Sequence, residues 1–250
     1  MILSKSPWLA SRLAVRRTST RSTQLPQTLM RSCFRAYSTP GSVERPVVTS
    51  LTKTCPSCGA TLPTALPVCQ NCNYIARLHE SIPYHDVLGL PYAPNPFVVD
   101  SALLKRRFVD AQRICHPDAW ATKSEDQKDA ALAVSNTVNA AYNTLASPLR
   151  RVEYILRRNG IELAEADQLD DLDLINEVMD VREEIDSVRP GGRSRLEELR
   201  DENDVKIREV REAIEILVAT EDWTAASAAA VRLKYLQGIE DAIKQELDYL

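Results

Sequence analysis

Glycine is scarce in this chain, seven among 250 residues, fewer than a sheet-rich protein would use for its hairpin turns and bulges. No apolar run approaches the roughly 20 residues that cross a bilayer, and no secretory h-region is present. No segment repeats at a fixed period, which removes solenoids and propellers, and no low-complexity tract lies beyond the N-terminus. Acid is missing altogether from residues 1–43, which carry Lys5, Arg12, Arg16, Arg17, Arg21, Arg31 and Arg35 among abundant Ser and Thr. What remains is an ordinary globular composition, 44% hydrophobic and 26% charged, enough for one to three small domains. Helix formers crowd the second half, which tilts the expectation towards helices.

The acid-free, Arg-rich and Ser-rich start reads as an organelle transit peptide. "RAYSTP" (Arg35 to Pro40) has the look of a mitochondrial presequence cleavage site, which places the cut after Tyr37. The expectation is a presequence over 1–37, a linker over 38–54 and residence in the mitochondrial matrix. A disordered cytosolic tail or a nucleic-acid-binding arm is the alternative. Without those seven bases the chain holds 24 basic and 35 acidic residues, a balance of −11, which argues against broad nucleic-acid binding.

Five cysteines follow Cys33, and four of them fall in "CPSCGATLPTALPVCQNC", a C-x2-C-x10-C-x2-C pattern. Two such hooks let Cys55, Cys58, Cys69 and Cys72 present four thiolates to one ion, the ligand set of structural zinc. One zinc per chain, without an open coordination position, is the expectation for residues 55–78. Disulfides, an iron-sulfur cluster on the same thiolates and a redox dithiol are the weaker alternatives.

Beyond residue 80 the pattern is helical. A short turn at "YHDVLG" precedes a helix capped by Asp100 or Ser101, with Leu104, Phe108, Ala111 and Cys115 on one face and Lys105, Arg106, Arg107 and Arg113 on the other. Pro117 stops it. Ser124 and Gln127 form a capping-box pattern for the next helix, whose inward residues are Ala131, Val134, Val138, Ala141, Tyr142 and Leu145. A helical hairpin with an exposed connection follows, within a unit spanning 80–158. From 168 to 250 three further helices are expected, near 171–188, 194–219 and 223–249. Their apolar positions are Leu172, Ile175, Met179 and Ile185, then Leu199, Val205, Val210, Ile214 and Leu217, then Leu233, Leu236, Ile243 and Leu247. The fold class is mainly all-α: a hairpin and a three-helix bundle behind a small cysteine knuckle.

"RICHPDAW" places a thiol, an imidazole and a carboxylate within four positions. Catalysis would need the Cys115 thiol within about 3.2 Å of the imidazole and a third group orienting that ring. Cys115 sits on the packed face of its helix while His116 begins the connection, so the two face apart, and no further ligand pair favours a metal. Two readings stay open on these residues: a turn rigidified by proline and offered to an arginine-bearing partner, or a plain helix-ending turn.

"YHDVLGL", "LLKRRF", "HPD" and "VNAAYNTLASPLRRVEYIL" resemble the J-domain of DnaJ-type co-chaperones. With the acidic bundle containing "LINEVMDVREEI" and "RLKYLQGI", the chain from about 80 to 250 resembles the HscB family of iron-sulfur cluster co-chaperones, whose animal members carry a four-cysteine segment. The resemblance implies that the protein is not an enzyme. His116, Pro117 and Asp118, with Lys105, Arg106, Arg107 and Arg113, would stimulate ATP hydrolysis in a mitochondrial DnaK-type chaperone. Ile175, Met179 and Tyr235, flanked by Asp180, Glu183 and Glu184, would hold the iron-sulfur scaffold protein. Periodicity alone reads those apolar positions as core with a solvated acidic edge. A general J-protein of import or folding is the runner-up, and a zinc enzyme or nucleic-acid module a more distant one. Neither nucleic acid nor a membrane is an expected partner, and self-association stays open.

Overall fold

The computed structural model describes residues 46–163, 172–188 and 192–249. The presequence expected over 1–37, the expected linker up to residue 45, and residues 168–171 of the expected bundle lie outside the described residues. Four two-residue strands, β1 (Val47–Val48), β2 (Val68–Cys69), β3 (Tyr74–Ile75) and β4 (Arg77–Leu78), surround the cysteines. Seven described helices follow: α1 (Tyr84–Val87), α2 (Ser101–Cys115), α3 (Glu125–Ala146), α4 (Pro148–Arg158), α5 (Leu172–Ser187), α6 (Arg193–Ala219) and α7 (Trp223–Tyr249). None is long and apolar enough to cross a membrane.

Residues 46–54 differ from the expected linker. β1 pairs in parallel with β4, Val47 opposite Arg77 and Val48 opposite Leu78, and Val48 and Leu51 lie against the first core. The physical reason is the partial burial of Val48 and Leu51 against that core, which offsets the chain entropy lost in ordering the segment, while Val47 stays exposed.

The hairpin is built by caps and one apolar seam. Asp100 accepts the backbone N–H groups of Ala102 and Leu103 at 2.8 and 3.1 Å, satisfying donors that the first turn of α2 would leave orphaned. Ser124 and Gln127 close a complete capping box at the start of α3. Between the helices Leu104, Ala111, Ile114 and Cys115 meet Val134, Val138, Ala141 and Leu145 in one buried cluster, and Phe108 stacks on Tyr142 with ring centres 4.3 Å apart. Leu66, Val68 and Ile75 of the cysteine segment belong to that same cluster. Gln127 also donates to the Asn73 carbonyl at 2.7 Å. The cysteine segment is therefore seated on the hairpin.

α4 is a separate helix that the apolar period does not announce. Ser147 caps it, Pro148 takes the first helical position, and the two interrupt what would otherwise read as one helix from 125 to 158. Its Val152, Ile155 and Leu156 point into a second core together with Phe97 and the apolar faces of α5, α6 and α7. Arg151 is buried at the joint, donating from Nε to the Leu145 carbonyl at 2.8 Å and from Nη1 to the Phe97 carbonyl at 2.7 Å, with its guanidinium 5.5 Å from the Phe97 ring centre. Burial, and secondarily the charge of Arg211, pulls it down to about 10.

The bundle runs up, down and up. Lys206 meets Glu177 at 2.6 Å and Arg195 meets Glu184 at 2.7 Å, so α5 and α6 are antiparallel. Arg232 reaches Glu177 and Arg182 lies over Gly238, so α5 and α7 are parallel. The core stripe of α5 meets the expected one only at Ile185: Leu174 and Val178 are buried beside it, while Leu172 and Met179 are 68% and 63% exposed. Val205 is likewise exposed on α6, its core place taken by Ile207. On α5 two apolar stripes run side by side, and spacing alone does not say which one faces inward.

Candidate functional site

The turn after α2 is organised by its own residues. His116 is extended (φ −58°, ψ 132°), as a residue before proline is expected to be. Its Nδ1 accepts the N–H of Asp118 at 3.3 Å and caps a 3-10 turn over Pro117–Trp120. A ring-to-backbone hydrogen bond thus ties His116 to Asp118 across Pro117. Nδ1 lies 3.6 Å from the Asp118 carboxylate, too far for a hydrogen bond. Because this nitrogen already accepts an N–H, it carries no proton, which leaves the neutral ring's proton on Nε2.

Trp120 anchors the other end, buried at 3% exposure with Nε1 donating to the Ile114 carbonyl at 3.0 Å. Sequence reasoning missed it, although a tryptophan two residues past an exposed turn is a signal for such an anchor. The side chains of His116 and Asp118 remain 54% and 92% exposed. Cys115 is fully buried, and burial pushes its thiol up to about 11, so it supplies no thiolate at neutral pH. The compressed active site suggested by "CHPD" is not formed; the turn is a rigid display. Beside it, Lys105, Arg106, Arg107 and Arg113 are all exposed on α2. Arg113 meets Asp110 at 3.7 Å, a pairing worth little in water. Val109, 45% exposed, adds an apolar spot to this basic face.

The cysteine hooks are two alike turns. Gly59 donates to the Cys55 carbonyl at 2.9 Å and takes φ +71°, a left-handed conformation that glycine adopts without cost. Asn73 takes φ +56° just after the second hook, a role asparagine tolerates. All four sulfurs lie within 4.8 Å of one another, and two pairs, Cys55 with Cys72 and Cys58 with Cys69, are at 3.6 and 3.7 Å. A tetrahedral ion with sulfur bonds of about 2.3 Å requires edges near 3.8 Å, so the set fits a metal ion. Hydrogen bonds, first that of the Ala60 backbone and then those of Cys72 and Asn71, pull the Cys58 thiol down to about 6. Burial pushes the Cys72 thiol up to about 11. Four sulfurs this close cannot all ionise without a cation among them.

On the bundle, Met179, Asp180 and Glu183 are exposed, and Ile175 and Tyr235 are half-buried. Glu177 pairs with Arg232 and Arg182 overlies Gly238, so Tyr235 of α7 falls level with Met179 and Asp180 of α5. Glu184 is a different case: its carboxylate is held by Arg195 at 2.7 Å and ties α5 to α6.

The fold defines a mainly helical protein in which a hairpin displays a histidine-proline-aspartate turn and is joined to a helical bundle. Comparison narrows this. The HSCB C-terminal oligomerisation domain matches residues 170–244. The Co-chaperone protein HscB homolog of Vibrio cholerae is 32% identical over 170 residues, 67% of this chain and 98% of that protein. The human Iron-sulfur cluster co-chaperone protein HscB is 28% identical over 174 residues, 69% of this chain and 73% of the relative. The crystal structure of human HscB superimposes with a TM-score of 0.67 at 26% identity, covering 79% of this chain and all of that one. The chain belongs to the HscB family of co-chaperones.

Proposed function

We propose that this protein is a mitochondrial matrix co-chaperone that carries an iron-sulfur cluster scaffold protein to a DnaK-type chaperone and stimulates that chaperone's ATP hydrolysis. The observation that carries the reading is the His116–Asp118 turn: capped from within, anchored by Trp120, and exposed at the side chains. A turn this ordered loses little entropy when bound. The basic side chains of α2 then steer an acidic surface of the chaperone towards it. The protein performs no chemistry of its own; by contacting one nucleotide state more favourably than the other, it shifts the chaperone's population.

The scaffold is held on the face of Ile175, Met179 and Tyr235, with Asp180 and Glu183 at its rim. An exposed methionine and a half-buried tyrosine among acids suit an apolar patch with steering charge. The human relative's name carries the same iron-sulfur assignment. Cys55, Cys58, Cys69 and Cys72 hold one structural zinc, the ion whose tetrahedral thiolate preference matches four sulfurs at these separations.

The test measures ATP turnover by the matrix chaperone with this protein and the scaffold together. Joint stimulation that Asp118→Asn abolishes is expected, with scaffold capture abolished independently by the triple change of Ile175, Met179 and Tyr235 to Ala. Equal stimulation by Asp118→Asn defeats the docking-turn assignment. Scaffold capture by the triple variant defeats the bundle assignment and leaves a general import or folding J-protein as the better reading.

A further inference from the structure

The cysteine segment does more than rest on the hairpin. Its loop from Pro63 to Ala65 and the exposed Gln70 stand opposite Arg107, Asp110 and Arg113 of α2, enclosing a cleft of about 380 Å³. One wall of the cleft is therefore the basic helix, and the other is the loop between the cysteine hooks together with Gln70. Arg113 is three residues before His116, which places the mouth of the cleft within about 5 Å, measured along the helix axis, of the docking turn. The cleft is continuous with the surface that meets the chaperone.

Its charge is one-sided. Arg107 and Arg113 outnumber Asp110, and no charged side chain lines it from the cysteine segment. Asp110 itself lies 3.7 Å from Arg113 in a largely solvated pair, which leaves Arg107 as the cation of the cleft with no carboxylate among its described ion pairs. Val87 and Leu88, with Pro63 and Ala65, give the cleft an apolar floor and lip. A segment bearing a carboxylate next to an apolar side chain fits such a site.

We propose that the cysteine segment is part of the chaperone-docking surface, and that this cleft takes an acidic segment of the DnaK-type chaperone. The inference rests on the docking reading of the His116–Asp118 turn and extends it by a second wall. The metal's role follows: by holding both hooks it fixes Pro63–Ala65 and Gln70 opposite α2, so the cleft exists before the partner arrives.

Charge changes on the cysteine-segment wall test this in the full chain. Gln70→Glu sets a negative charge against an acidic occupant and Gln70→Lys a positive one, with the same pair repeated at Pro63, outside both hooks. The concentration giving half-maximal chaperone ATPase stimulation should rise roughly three- to tenfold for the glutamates and fall for the lysines, as rim charges act on association. Direct titration of the ATP-bound chaperone should show the same order, with metal content held at one zinc per chain. Unchanged half-maximal concentrations at both positions overturn the proposal, as does equal weakening by both signs of charge. His116→Gln in the same assay separates the two readings. If it abolishes stimulation while the charge series is flat, the cleft assignment alone fails; if it stimulates normally, the docking turn itself is wrong.

Discussion

The hairpin tip and the α5 face of the bundle are both exposed, yet they are held in opposite ways. At the tip, two bonds fix the turn, His116 accepting from Asp118 and Trp120 donating to Ile114, so its side chains are displayed by an irregular backbone. On α5 the backbone is regular helix and the display comes from a second apolar stripe, Leu172 and Met179, beside the buried one. An irregular turn tolerates little change because its shape is its signal. A helix face tolerates substitution readily, because its shape persists whatever side chain it carries.

The largest effect that sharpens this contrast is removal of the proposed zinc. With Cys55→Ser and Cys58→Ser, zinc content measured by atomic absorption should fall to nothing, with loss of binding free energy on the order of 10 kcal/mol. Amide exchange should then accelerate across residues 55–78, and across the hairpin where Leu66, Val68 and Ile75 cover it, while α5 to α7 keep their protection. Next comes the core under α4. Leu156→Ala should cost about 2–5 kcal/mol in denaturant titration, because Leu156 is fully buried. Met179→Ala, at 63% exposure, should stay within about 0.5 kcal/mol while weakening scaffold binding in calorimetry. A stability loss at Met179 equal to that at Leu156 would erase the distinction between the two stripes.

The tip is expected to split function from stability more sharply still. Asp118→Asn should remove at least about tenfold of chaperone stimulation, roughly 1.4 kcal/mol, with no change in melting temperature, since the carboxylate is 92% exposed and the cap uses the Asp118 backbone.

The smallest effect concerns pH. His85 is fully buried beneath the hairpin, its Nε2 2.8 Å from the Pro96 carbonyl and its Nδ1 without a partner. Burial holds it below its ordinary value of 6.5. The unfolded chain takes up a proton near 6.5 while the folded one resists, so stability is complete above that pH and falls as pH drops towards the lower folded value. Thermal melts from pH 7.5 to 5 should show this slope, and His85→Gln should flatten it.

How much of this was legible in the sequence depends on whether a residue type or a period carried the signal. The cysteine hooks, the Ser124–Gln127 capping box and the proline after His116 are chemical statements with few alternatives, and the structure places them as the sequence reads. The α5 core stripe is legible only at Ile185, because Leu172, Ile175 and Met179 repeat as regularly as Leu174 and Val178, and only the neighbouring helices decide between them. α4 was hidden because its start, Ser147–Pro148, breaks the helix for a single residue. The seating of the cysteine segment was beyond the sequence because Leu66, Val68 and Ile75 share their core with α3, far along the chain.

One joint governs how these parts behave as a whole. Arg151 is satisfied by the carbonyls of Leu145 and Phe97, acceptors that belong to the main chain. A link of this kind cannot be loosened by titrating its acceptors, because a carbonyl does not ionise near neutral pH. With Arg151 at about 10, the cation also persists through the physiological range. Mutation of the acceptor residues leaves the acceptors in place. The polar part of the connection between hairpin and bundle is therefore insulated from the acidity of its surroundings, as is its apolar part, the packing of Phe97, Val152, Ile155 and Leu156.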